Sequence, residues 1–210
     1  MEAGFVERLA AARIGGTFNQ YAASELVRER LSTYLESKAD APIVLVAEAP
    51  GYRGTRVSGI PLTSERQLTG SGPAEATATT VHRALAELGL ADDILLWNLV
   101  PTHPGTETSN RPPTRGEIDA AAPFLAEILR GRRVVAVGRL AQARLGGPYV
   151  RHPSHGGASA FRSGLESVLV TSPARAFVPD PVRSWSAHSR RLATWSSSPS
   201  AATRSCSPPR

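Results

Sequence analysis

Three long apolar runs and one short one organise this chain. "APIVLVAE" (41–48), "DILLWNLVP" (93–101) and "RRVVAVG" (132–138) are continuous rather than alternating, and "PYVRHPSHGG" breaks from a short strand into a loop at His152. Continuous β-branched runs bounded by Gly and Pro are the pattern of strands covered on both faces. Helical periodicity fills the intervals. Residues 18–38 predict one helix with Leu26, Leu31, Tyr34 and Leu35 toward a core and Ser24 as a cap for its regular part. Residues 75–90 form an amphipathic helix closed by Gly89, and Thr114 with Glu117 makes a capping box that starts a helix over 115–130. "RLAQARLG" is a short helix ending at Gly146, and "AFRSGLESVL" is a terminal one. Strand–helix alternation of this kind implies an α/β fold: three layers, α/β/α, with a central, mostly parallel four-stranded sheet.

Two polar stretches interrupt the pattern. Residues 52–73 and "THPGTETSNRPP" are longer than a simple connection needs, which marks them as functional loops. Beyond about 174 the periodicity dissolves into Ser/Pro/Arg-rich sequence such as "SSSPSAATRSCSPPR". The expected organisation is a single domain over 1–173 and a disordered tail over 174–210.

Composition changes this picture little. Apolar residues are 41% of the 210, and no run approaches membrane-spanning length. The net charge of +6 suggests nucleic acid, but residues 174–210 hold six Arg and one Asp, so +5 belongs to the tail and +1 to the body. Cys206 is the one cysteine and lies in the tail, which excludes an internal disulfide, a cysteine zinc site and a cysteine-ligated iron–sulfur cluster. "MEAGFVERLAAARIGG" does not read as a secretory signal, so a cytoplasmic (bacterial nucleoid) location is expected.

Candidate chemistry sits where the runs end. In open parallel sheets ligands bind beyond the carboxyl ends of the strands, and there the chain places Glu48, Asn98 and His152. Each has a plain alternative: a surface carboxylate, an amide satisfied by neighbouring backbone, a turn histidine. Together they suit expulsion of a pyrimidine base. An amide matches the N3–H and O4 of uracil in one plane. A histidine donating to O2 stabilises the charge on the departing base. A carboxylate below the sugar stabilises oxocarbenium character and orients a water. No metal and no cofactor is required. His103 and His155 share no ligand spacing with a carboxylate, and His82 reads as surface or core packing within a helix.

Five segments in order carry a resemblance. "AEAPG" (47–51) looks like the first motif of the uracil-DNA glycosylase superfamily, nearest the "GEAPG" form of its iron–sulfur branch. "GIPLTSERQL" (59–68) is similar to that family's Gly-x-Pro-Phe segment, "LLWNLVP" resembles the uracil-reading strand, "NRPPTRGEI" (110–118) an Asn-Arg-x-Pro segment, and "RHPSHGG" (151–157) the second catalytic motif. The resemblance implies Glu48 near C1′, with Ala49, Pro50 and Gly51 shaping the loop under the sugar. It implies Asn98 on the uracil edge, His152 on the leaving anion, and Leu62 at the base. Ser154 would bind a phosphate, and His155, Gly156 and Gly157 would reach into the duplex.

The departures are specific. Ala49 stands where the most active branch has a water-activating Asp, so catalysis rests on Glu48 or on electrostatics alone. Gly51 replaces a Tyr that excludes the thymine methyl. Leu62 replaces a stacking aromatic, for which Tyr52 and Trp97 are alternatives. The four cluster cysteines are missing, so the resemblance is to a cluster-free relative. What it implies is a monofunctional DNA repair glycosylase, a base-flipping monomer that excises uracil from single- or double-stranded DNA without membrane or metal. The alternatives are a binding protein for abasic or uracil-containing DNA, or a small-nucleoside hydrolase.

Overall fold

A computed structural model describes residues 4–171. In chain order the elements are α1 (Phe5–Ala11), α2 (Gln20–Ala23), α3 (Glu25–Ser37), β1 (Ile43–Ala47), α4 (Thr55–Ser58), α5 (Glu65–Thr69), α6 (Ala76–Glu87), β2 (Ile94–Asn98), α7 (Arg115–Leu129), β3 (Arg133–Val137), α8 (Arg139–Leu145), β4 (Tyr149–Val150) and α9 (Ala158–Leu165), which runs into a π-helical turn at Glu166–Thr171. The four strands are parallel in the order β2-β1-β3-β4. The tail expected from 174 onward lies outside the described residues.

Strand alternation sorts the core into two layers. Leu45, Leu96, Val135 and Val150 face a cluster completed by Val81, Ala84 and Leu85 of α6 and by Phe161 and Leu165 of α9. On the opposite face Phe5 of α1 packs against Trp97 and against Phe124 of α7, with both ring centroids 5.8 Å away. The sheet is thus covered on both sides, as the continuous apolar runs require. β2 is an edge strand, and α3 covers it: the Leu96 N–H donates to the Tyr34 hydroxyl at 2.7 Å, which removes a free ladder group from water.

Helix boundaries follow cap chemistry. Thr114 and Glu117 form the reciprocal capping box at the start of α7, and Gly89 lies just beyond α6 with φ 65. The single helix expected over 18–38 is instead two. Asn19 caps α2 by accepting from Tyr21 and Ala22, the chain goes extended at Ser24, and the Ser24 side chain caps α3. The buried stripe of α3 is Val27, Leu31 and Leu35; Leu26 falls off it and is 54% exposed, contrary to the expectation that it faced the core. The stretch 52–73, expected as loop, contains α4 and α5, the latter started by a Ser64–Gln67 capping box. No helix among the described residues is long and apolar enough to cross a membrane.

Chain order creates the site's location. From β1 the chain goes outward to β2, then returns past β1 to build β3 on its other side. Between β1 and β3 the winding reverses, and adjacent loops diverge to leave a crevice at the strands' carboxyl ends.

Candidate active site

β1 and β2 end level, Ala47 pairing with Asn98, so Glu48 and Asn98 emerge at one edge of the sheet. Glu48 is half-buried, and that burial raises its pKa above the ordinary carboxylate value. Asn98 is 1% exposed, yet neither its Oδ1 nor its Nδ2 has a hydrogen-bond partner among the described residues. It shares its face of β2 with Leu96, so a planar donor–acceptor pair is set into an apolar wall.

His152 follows β4, beside the end of β3. His152 packs against the strand end at Gly138, where a Cβ would meet the His152 Cβ at 3.4 Å, an ordinary contact, and it is the φ of 90 that favours glycine. The backbone N–H of Ser154 donates to His152 Nδ1 at 3.2 Å, and Ser154 Oγ lies 2.8 Å from the same nitrogen. A backbone N–H can only donate, so Nδ1 is an acceptor and the neutral ring carries its proton on Nε2. Burial first, and His155 second, lower the His152 pKa. Ser154, expected to hold a phosphate, is here hydrogen-bonded to His152 through both its N–H and its hydroxyl, and His155 Nδ1 lies 3.0 Å from that hydroxyl. His155 itself has φ 52, a left-handed conformation unusual for a side chain of its size, followed by Gly156 at φ 73. A Cβ on Gly157 would meet the His152 carbonyl at 2.3 Å, so this turn requires glycine. An open cavity of about 420 Å³ borders His152, Ser154, His155, Arg139 and Arg151.

The loop after β1 is held from behind. Buried His103 places Nδ1 2.7 Å from the Pro50 carbonyl and Nε2 2.8 Å from that of Thr106. The Tyr52 N–H donates to Asn110 Oδ1 at 2.9 Å, which ties the "NRPP" segment to "AEAPG". Gly51 and Gly54 make room for a carboxylate that sequence reasoning missed. The Glu75 side chain lies against both, its oxygens 2.4 Å from a Cβ built on Gly51 and 1.6 Å from one built on Gly54. Burial raises the Glu75 pKa as it does that of Glu48. Two glycines in "PGYRG" were the available signal, but nothing local names the residue that fills their space.

Leu62 is 7% exposed and packs in the α6/α9 cluster with φ 53, its N–H donating to Thr55 Oγ1 at 3.1 Å. It is a wall of the core at this edge and presents little surface for stacking. Trp97 is removed as a stacking alternative: it is fully buried on the opposite face against Phe5. Tyr52 stays half-exposed, with the Arg53 guanidinium 5.6 Å from its ring centre. His82 is half-buried and sits 2.9 Å from Thr63 Oγ1, supporting the segment that carries Leu62.

The model of the family described as the uracil DNA glycosylase superfamily matches residues 35–206 of this chain. The chain belongs to that superfamily. Among solved structures it is similar to the crystal structure of wild-type Pedobacter heparinus SMUG2, at 11% identity and TM-score 0.49, over 90% of this chain and 98% of that one. No curated protein matches. Membership in the uracil-DNA glycosylase superfamily carries a glycosylase-type hydrolase function in DNA repair. The superfamily's iron–sulfur branch does not fit these residues, since such a cluster needs four cysteine ligands and the chain has only Cys206. Among the described residues no group of three or more His, Cys, Asp or Glu is placed to hold a metal ion.

Proposed function

We propose that the protein flips uracil out of DNA and hydrolyses its N-glycosidic bond, leaving an abasic site. The observation that carries this is Asn98: a buried amide whose donor and acceptor both lack a partner among the described residues, at the carboxyl edge of the sheet. Such a group is costly unless a ligand uses it, and a uracil edge offers the complementary N3–H and O4. His152, neutral with its proton on Nε2, is the donor for O2. The C1′–N1 bond breaks with its electron pair leaving on uracil, which that N–H stabilises without a full proton transfer. Glu48, as the carboxylate, faces the positive charge growing at the sugar and orients the water that adds to C1′ and releases a proton. Ala49 offers no second base, so Glu48 carries this role alone. The one lysine, Lys38, lies on the C-terminal side of α3 and bonds to the Ala91 carbonyl at 2.7 Å, away from the strand ends, which favours monofunctional hydrolysis over Schiff-base lyase chemistry.

Labelled oligonucleotides containing one uracil, hypoxanthine or mismatched thymine, incubated with the protein and then treated with hot alkali, test the proposal. Cleavage at uracil that is lost in Glu48→Gln and in His152→Ala is the expected result. Retained binding to uracil or abasic DNA with no cleavage at any base would replace hydrolysis by a binding role, and activity on free nucleosides alone would remove DNA.

A further inference from the structure

An open groove of about 570 Å³, which shares no lining residue with the cavity at His152, is lined by Tyr52, Arg53, Arg56, Arg66 and Glu107. Its charges are unevenly matched. Glu107 pairs with Arg56 at 2.9 Å, and Arg56 also stacks over the Phe18 ring at 4.6 Å. Neighbouring Glu65 is taken by Arg30, through two hydrogen bonds of 2.9 Å. Arg53 and Arg66 have no carboxylate partner among the described residues; Arg66 reaches only the Gly72 carbonyl, at 3.1 and 3.2 Å, and Arg53 stands over Tyr52. Two uncompensated guanidinium groups beside a half-exposed phenol ring are thus concentrated on a body whose total charge is only +1 by sequence.

We propose that this groove is a second contact surface for the substrate strand: Arg53 and Arg66 hold backbone phosphates flanking the reacting nucleotide, and the Tyr52 ring receives an adjacent unpaired base. Cations tracking a backbone beside an aromatic platform are the features that bind single-stranded nucleic acid. The groove begins at Tyr52, next to Gly51, so a strand in it continues directly into the loop that carries Glu48. The basic cavity around His152, with Arg139 and Arg151, then meets the strand separately. The DNA identity of the strand rests on the glycosylase reading; the polyanion chemistry does not.

The test is the salt dependence of binding. Anisotropy of a labelled, uracil-free DNA oligonucleotide is followed across a salt series for the wild type, for Arg53→Ala/Arg66→Ala, and for Arg53→Lys/Arg66→Lys. Each lost phosphate contact lowers the slope of log affinity against log salt by about 0.7–0.9, so the alanine pair should lose about 1.4–1.8 and the lysine pair should keep the wild-type slope. Both arginines lie at the surface, and a thermal melt confirms that the variants fold. A wild-type slope in the folded alanine pair overturns the proposal, and uracil excision measured on the same samples would then still support the glycosylase. A reduced slope in a protein that excises no base keeps the groove and removes the glycosylase. A slope lost only on RNA of the same sequence overturns DNA as the occupant.

Discussion

Asn98→Leu tests most directly whether the amide at the end of β2 exists for a base. Asn98 is 1% exposed and both its polar atoms lack a protein partner among the described residues. Leucine keeps the branching and the number of side-chain heavy atoms, and the face it would join already holds Ala47, Leu62 and Leu96. An unsatisfied buried polar atom costs about 1–3 kcal/mol. Solvent at the pocket offsets part of that for two atoms, and the bulkier methyls take back some more. The substitution should therefore raise stability by about 1–2 kcal/mol, or about 2–8 °C in melting temperature for a chain of this size. Excision should move the other way. A paired donor–acceptor contact to a base edge contributes about 1–3 kcal/mol, and methyl groups in its place leave the uracil polar edge desolvated, so kcat/KM should fall at least about 100-fold. Thermal denaturation and single-turnover excision on one preparation read both quantities. A variant that is destabilised but excises uracil at the wild-type rate would refute the argument, because it would show an amide held for packing alone.

Other expectations follow from the same geometry. Ser154→Ala removes one of the two groups that fix the His152 ring, so kcat should drop about tenfold with KM little changed, an effect seen in steady-state kinetics on a uracil oligonucleotide. The proposed chemistry needs charged Glu48 and neutral His152, and burial raises the pKa of the first and lowers that of the second. The His152 ring, followed by NMR in the free protein, should therefore titrate below 6.5; a midpoint above 6.5 would contradict a neutral, Nε2-protonated ring. Glu117, bonded twice by Arg111, has its pKa lowered to about 2 from 4.5. A lowered carboxylate stabilises the fold above its unfolded value and loses that contribution as pH falls from 4.5 toward 2. With Arg111 39% exposed the contribution should be about 1–2 kcal/mol, measured as the amount by which the urea-stability loss between pH 6 and pH 3 is smaller in Glu117→Gln than in the wild type. Gly54→Ala sets a Cβ 1.6 Å from Glu75 Oε2 and should cost about 1–3 kcal/mol, of which Glu75→Ala in the same chain recovers part; strict additivity in that cycle would mean the two do not touch.

The strands and the capped helices were legible because each rests on local chemistry: unbroken apolar runs, Thr114 with Glu117, and Gly89 after α6. The helix break at Ser24 was half legible, since the cap was seen but not the extended residue that makes two helices of one. α5 was written in Ser64 and Gln67, and was masked by the Gly/Pro content around it. At the site, Asn98 stood out by interrupting an apolar strand, and Glu48 by ending one. Trp97 was open as a stacking residue until strand alternation placed it opposite Asn98. The Ser154–His152 contact and the position of Glu75 were missed for a different reason. Both depend on where a turn and a helix start bring these residues in space, and neither spacing nor residue type encodes that.

Departures from local rules concentrate at one edge of this fold. Leu62 and His155 are the described non-glycine residues with positive φ, Asn98 is buried with no partner among the described residues, and Glu48 and Glu75 are carboxyls whose pKa burial raises. The remainder of the sheet obeys its periodicity, and strain of this kind persists only where surrounding structure over-determines it. Here the over-determination is visible: His103 fixes Pro50, Asn110 fixes Tyr52, and Thr55 fixes Leu62. Burial also acts on Glu48 and His152 in opposite directions, one pKa rising and the other falling. A nucleotide filling the crevice excludes water and brings a phosphate anion: both raise the Glu48 pKa further, whereas for His152 the two act in opposite directions. Substrate binding should therefore move the acid limb toward the pKa of Glu48, leaving its carboxylate as the group that limits activity at low pH.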